Sequence, residues 1–123
     1  MRSPEDRRAF YRVQYTGSGR PAIRAGDVMG AVLDVSERGL RYATGEPPGV
    51  ATGNGLSAQV RFGDGSTVHV RGMVTRVDGH EVSVRLFSPG LSLGVILNEQ
   101  RRLRALQRVL TITTPPLITN ATR

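Results

Sequence analysis

Between residues 28 and 87, turn-forming residues cut the chain into runs too short for core helices, and the longest of these runs alternate with a period of two. That pattern limits the fold more than any composition figure. The segments 28–36, 39–44, 56–62, 67–77 and 81–87 read as strands. Gly63-Asp64-Gly65 and Asp78-Gly79 are short hairpin signals, and Gly45 to Gly55, with Pro47 and Pro48, is a longer loop. Alternation is clearest where Val68, Val70, Gly72, Val74 and Arg76 face His69, Arg71, Met73, Thr75 and Val77, and where Val82, Val84 and Leu86 face Ser83, Arg85 and Phe87. These are half-buried antiparallel strands. Segments 12–15 and 22–24 supply one or two more, joined through Gly17-Ser18-Gly19. Phe62 and Phe87 are core candidates. At 123 residues the chain has room for one core, so a multidomain enzyme is not expected. The expected class is mainly β: a small six- to seven-stranded antiparallel barrel, closed so that no strand edge is left open, with a C-terminal α-helix.

The helix is expected over 96–109. Leu103, Leu106 and Leu110 recur at helical spacing, with Arg101, Arg104 and Arg108 on roughly the opposite face. Pro115 and Pro116 should stop it, leaving 111–123 as a weakly ordered tail. The chain then divides into an arginine arm at 1–15, a barrel with its helix at 16–110, and the tail. Phe10, Tyr11 and Tyr15 are expected to anchor the arm to the barrel.

The net charge is +7, carried by 17 basic residues that are all arginine, against 10 acids. Residues 1–12 hold four arginines against two acids, 13–98 hold eight against seven, and 99–108 hold four against one. A nearly neutral middle with basic flanks suits a small anion better than a long duplex, whose affinity rests on many phosphate contacts. There is no cysteine, hence no disulfide and no thiolate chemistry. No apolar run is long enough for a span, and residues 1–15 contain no signal-peptide core, so a soluble cytoplasmic protein without a membrane span is expected.

Two short segments carry recognition chemistry. Arg8 and Arg12 are four apart and project together from the arm, presenting two guanidinium forks to one ligand. In Asp34-Val35-Ser36-Glu37-Arg38-Gly39, at the end of a strand, Asp34 and Ser36 share one face while Leu33 and Val35 take the other, and Gly39 lets the chain bend. An arginine fork matches the O6/N7 edge of guanine or a phosphate, and a carboxylate matches the guanine N1 and N2 donors. A hydroxyl with nearby backbone N–H groups suits phosphate. The residues alone therefore point to a guanine nucleotide without saying which.

Arg8-x-x-x-Arg12 followed by Asp34-x-Ser36-x-x-Gly39, with strands and a final helix after it, resembles the PilZ domain, a bacterial receptor for cyclic di-GMP. The resemblance runs from about Glu5 to Leu110 and implies a six-stranded antiparallel barrel with a C-terminal helix. By it, Arg8 and Arg12 would clamp guanine edges and phosphates, Asp34 would receive guanine donors, and Ser36 and Gly39 would hold phosphate. Arg41 and Arg76 would reach or stack on the ligand. Arg7 would contact a second cyclic di-GMP, since two such molecules stack and intercalate. Ser83 stands where the family often has glycine.

Taken singly, an arginine run is a solvated arm and an Asp-x-Ser pair is a turn, and only their combination favours a site. No nucleophile is matched to a base, no metal cluster is spelled out, and His69 and His80 read as surface histidines, so a non-enzymatic receptor without cofactor or metal is expected. Its partners would be cyclic di-GMP and a downstream protein, docked by the helix arginines, with no specific nucleic acid. The rival readings are a single-stranded nucleic-acid-binding barrel, disfavoured by three Phe, three Tyr and no Trp, and a ligand-free adaptor acting through protein contacts.

Overall fold

The computed structural model describes residues 12–121. Seven strands precede one helix: β1 Val13–Gln14, β2 Ala22–Ala25, β3 Val28–Val35, β4 Gly39–Thr44, β5 Gly55–Arg61, β6 Thr67–Asp78, β7 Glu81–Leu86 and α1 Leu93–Ala121. A 3-10 turn, Gly17–Gly19, links β1 to β2. All pairings are antiparallel, and because β3 bonds both β2 and β4 the order β3-β2-β5-β6-β7-β4 closes on itself. Six strands thus form a barrel without open edges, and β1 is an extra strand on β3. β1 uses the part of β3 that extends past β2: β2 pairs with Val28 to Ala31, β1 with Asp34 and Val35.

The alternation is cleanest in β5, where Leu56, Ala58 and Val60 are buried and Ser57, Gln59 and Arg61 exposed. Val32, Val60, Val74, Val82 and Leu86 meet in the interior with Ile23 and Tyr42, and Ile96 of α1 closes one side of it. Full burial of each such aliphatic side chain is worth about 1.5–3 kcal/mol of transfer free energy. Gly79, at φ 63°, makes the two-residue turn between Asp78 and Glu81. In the β5–β6 turn Asp64 Oδ1 accepts hydrogen bonds from the Ser66 N–H (2.9 Å) and hydroxyl (2.7 Å).

Two bulges break the expected alternation. One lies between Val32 and Asp34. Leu33 is the inserted residue and is half-buried, so Val32 and Val35 both face the core while Asp34 is turned toward β1 and β4. The second lies between Val74 and Arg76. It places Arg76 outward and Val77 against the core, reversing the faces that strict alternation assigns them. Phe87 is likewise no core residue. It follows Leu86, which points inward, and is therefore exposed.

The helix starts three residues before the expected 96, behind Ser92, whose hydroxyl accepts a bond from the Val95 N–H (3.1 Å). It also runs past the expected stop at 109, through Pro115 and Pro116 to Ala121. Each proline lacks a backbone N–H, so the helix loses two donors there. The helix is docked through a buried polar cluster that sequence patterning did not foresee. Glu99, 1% exposed, accepts from the Tyr15 hydroxyl (2.7 Å) and from Arg102 (2.9 and 3.0 Å). Arg102 also donates to the Gly19 carbonyl (3.2 Å). Leu103 and Leu106 cover Gly19, with Leu103 so close that a Cβ there would displace it. Among the described residues, no helix is long and apolar enough to cross a membrane.

Candidate functional site

β1, the bulged end of β3 and β4 lie side by side, and their register brings the site together. Gln14 pairs with Asp34, Asp34 with Arg41, Arg41 with Ser83, and Ser83 with Arg76. Paired residues of antiparallel strands share a face, so one row crosses five strands.

Asp34 is its centre. It is only 2% exposed, yet both carboxylate oxygens are engaged: Oδ1 by Arg12 Nη1 at 2.6 Å and Oδ2 by Arg41 Nε at 2.9 Å. These are charge-assisted bonds, the strong kind, and a carboxylate buried this far needs them. Arg41 is held a second time, by Glu81 Oε1 at 2.8 Å. The bond to Asp34 raises the Arg41 pKa above the usual arginine value. Arg12 has Asp34 as its one ion-pair partner among the described residues, and half its side chain is open to solvent.

Below this cluster lies the turn 36–39. The Ser36 N–H donates to the Gly39 carbonyl (2.8 Å), and Ser36 is buried. A Cβ on Gly39 would sit 3.3 Å from Ser36 Oγ and 3.8 Å from Arg12 Nη2. Glycine there leaves the space between hydroxyl and guanidinium open. The turn is braced from behind: the Leu91 N–H donates to Glu37 O (2.8 Å) and the Leu86 N–H to Arg38 O (2.9 Å). Gly90, at φ 71°, packs so closely that a Cβ would fall on the Glu37 carbonyl.

Of the residues expected from the sequence, Arg12, Asp34, Ser36, Gly39 and Arg41 therefore form one cluster. Arg76 shares the row through Ser83 but reaches Asp78 (3.5 Å) instead of Asp34, and is 74% exposed. Arg7 and Arg8 lie outside the described residues, as do Phe10 and Tyr11. Tyr15 is buried and bonded to α1. Sequence reading missed Glu81. Its signal was the Asp78-Gly79 turn, which fixes the β6–β7 register, but the β4–β7 pairing that brings it to Arg41 spans forty residues.

The arrangement sets a buried acceptor carboxylate, and a buried hydroxyl beside a glycine turn, under two part-exposed guanidinium forks. Such groups recognise paired N–H donors and anionic oxygens together.

The family model of the PilZ domain matches residues 6–109. Among curated proteins, no relative matches the sequence. Two solved structures are similar. One is YcgR from Escherichia coli in complex with c-di-GMP, at 18% identity and TM-score 0.53, covering 90% of this chain and 50% of that one. The other is the inhibitor of motility MotI/DgrA from Bacillus subtilis, at 13% identity and TM-score 0.58, covering 85% of this chain and 52% of that one. The chain thus spans about half the length of each, and at these identities the likeness is one of fold.

Proposed function

The chain belongs to the PilZ domain family, and from that premise we propose that it is a non-catalytic receptor for cyclic di-GMP. The observation that carries the reading is Asp34: a buried carboxylate with both oxygens committed to guanidinium donors, beside the Ser36–Gly39 turn. In the proposed complex the N1 and N2 donors of a guanine take over one of those places. Arg12 is the group that gives way, because Arg41 keeps a second anchor in Glu81 while Arg12 has none among the described residues. Once released, Arg12 joins Arg8 in clamping guanine edges and phosphates, with Ser36 and Gly39 on a phosphate. Arg41 and Arg76 border the ligand, and Arg7 contacts a second cyclic di-GMP stacked on the first.

Signalling follows from the same exchange. The arm ahead of β1 closes over the barrel when the ligand draws its arginines in, while Val13–Gln14 and Tyr15 stay fixed on β3 and the helix, and a downstream protein reads the closed surface. The ligand can favour that state only by binding it more tightly, and the arm contacts provide the difference. Support for this reading comes from the family match and from the clustering of Arg12, Asp34, Ser36, Gly39 and Arg41. Isothermal titration with cyclic di-GMP, GMP, GTP and cyclic di-AMP tests it. Saturable binding of cyclic di-GMP at two molecules per chain, with the others at least tenfold weaker, is expected. Absence of cyclic di-GMP binding would leave the adaptor reading in its place.

A further inference from the structure

Charge on the barrel is nearly balanced in number but not in place. On the outer face of β2, β5, β6 and β7 the cross-strand register generates four successive rows. Arg85 pairs with Met73, and Met73 with Gly55. Arg71 pairs with Ser57, and its carbonyl accepts the Phe87 N–H (2.8 Å), which sets Phe87 beside it. Arg24 pairs with Gln59, and Gln59 with His69. Arg61 pairs with both Ala22 and Thr67. Each row has one arginine, and none has an acid.

All four arginines are exposed, and among the described residues none of them makes an ion pair or a side-chain hydrogen bond. The acids of the barrel lie outside these rows. Asp34 and Glu81 are engaged by Arg12 and Arg41, Asp78 by Arg76, and Asp64 in the β5–β6 turn is bonded to Ser66 and Asn98; Glu37 and Glu46 flank β4, and Asp27 lies in the β2–β3 turn at the strip's margin. With strands about 4.8 Å apart and alternate residues about 6.8 Å apart, the rows make a cationic strip about 20 Å long. Met29, exposed and paired with Arg24, lies at one margin, and Phe87 at another.

We propose that this strip is a docking surface for an acidic protein segment that carries apolar side chains. Four exposed guanidinium forks are the complement of carboxylates, which they take bidentately. Arginine, aromatic residues and methionine, without acids, are also the composition enriched in protein interfaces. A single-stranded nucleic acid would want successive stacking platforms, and the strip exposes only Phe87 and the smaller ring of His69, which is already bonded to Ser57. The proposal stands on the strip alone and does not depend on the ligand assigned to the Asp34 site.

Fluorescence anisotropy with a labelled (Glu-Glu-Leu)4 peptide, beside a labelled uridine dodecamer, tests it. The unmodified chain should bind the peptide more tightly than the oligonucleotide. The double variant Arg61→Glu with Arg71→Glu should weaken peptide binding at least tenfold, and Arg61→Gln with Arg71→Gln should weaken it less. The helix pair Arg101→Glu with Arg104→Glu should change it less than threefold. No peptide binding, tighter binding of the oligonucleotide, or equal loss in the strip and helix variants would overturn the proposal. If the double glutamate variant does not fold, the glutamine pair decides between the same outcomes. Cyclic di-GMP titration of the Arg61 and Arg71 variants should match the unmodified chain, which separates failure here from failure of the receptor reading.

Discussion

At Asp34 two arginine donors occupy positions that, on the receptor reading, guanine donors would share. Removing the carboxylate should therefore cost base recognition more than phosphate attraction. For Asp34→Ala the ratio of cyclic di-GMP to cyclic di-AMP affinity should fall, and a constant ratio would count against the role. Tyr42 poses a different question. Its hydroxyl is buried and has no hydrogen-bond partner among the described residues, and burial raises its pKa. An unsatisfied buried hydroxyl costs about 1–3 kcal/mol, so Tyr42→Phe should leave stability unchanged or raise it by about 1 kcal/mol in urea unfolding. A loss of that size would mean that the hydroxyl has a partner. At this scale sequence alone reaches far where chemistry is local: Asp34, Ser36 and Gly39 announce themselves within six residues. Glu81 does not, because its partner depends on a long-range strand pairing.

Among the elements, the turn 36–39 depends on the segment after β7. Leu86 and Leu91 bond its carbonyls, and Gly90 fits against Glu37 only because it lacks a side chain. Gly90→Ala combines a positive φ with a clash, and strain of this kind costs about 1–3 kcal/mol. A lowered Tm is expected together with weaker cyclic di-GMP binding. Weaker stability with unchanged binding would show that the turn holds its shape without the brace. Strand positions and hairpin turns were legible because period-two burial and glycine turns leave marks in sequence. The bulges at Leu33 and Thr75 were not, since one extra residue in a strand alters no composition, yet they decide which way Asp34 and Arg76 point. Glu99 left a trace, an acid in the same helical stripe as Ile96 and Leu103, but its partner Tyr15 lies 84 residues away.

For the molecule as a whole, that Tyr15–Glu99–Arg102 cluster ties the β1 segment to the helix, and it gives stability a dependence on pH. Burial, then Glu99, raises the Tyr15 pKa far above the ordinary 10.0, and burial raises that of Tyr42. The folded state thus retains protons that the unfolded chain gives up above about pH 10, so stability is fully present below that pH and falls as pH rises through it. Urea midpoints should drop between about pH 9.5 and 11, and Tyr15→Phe should flatten the drop while lowering the midpoint at neutral pH. The charge that is nearly balanced along the barrel sequence is segregated in space, with paired charges around Asp34 and, on β2, β5, β6 and β7, arginines without an ion-pair partner among the described residues. No linear count could reveal this, because register assigns the rows. The receptor reading itself turns on Arg12, whose fork is the exchangeable partner of Asp34. The most direct measurement is calorimetric titration of cyclic di-GMP into the unmodified chain and into Arg12→Ala. Saturable binding that weakens by about 1–3 kcal/mol in the variant, roughly five- to 150-fold, is the predicted result. Equal affinities, or no binding to the unmodified chain, would contradict it.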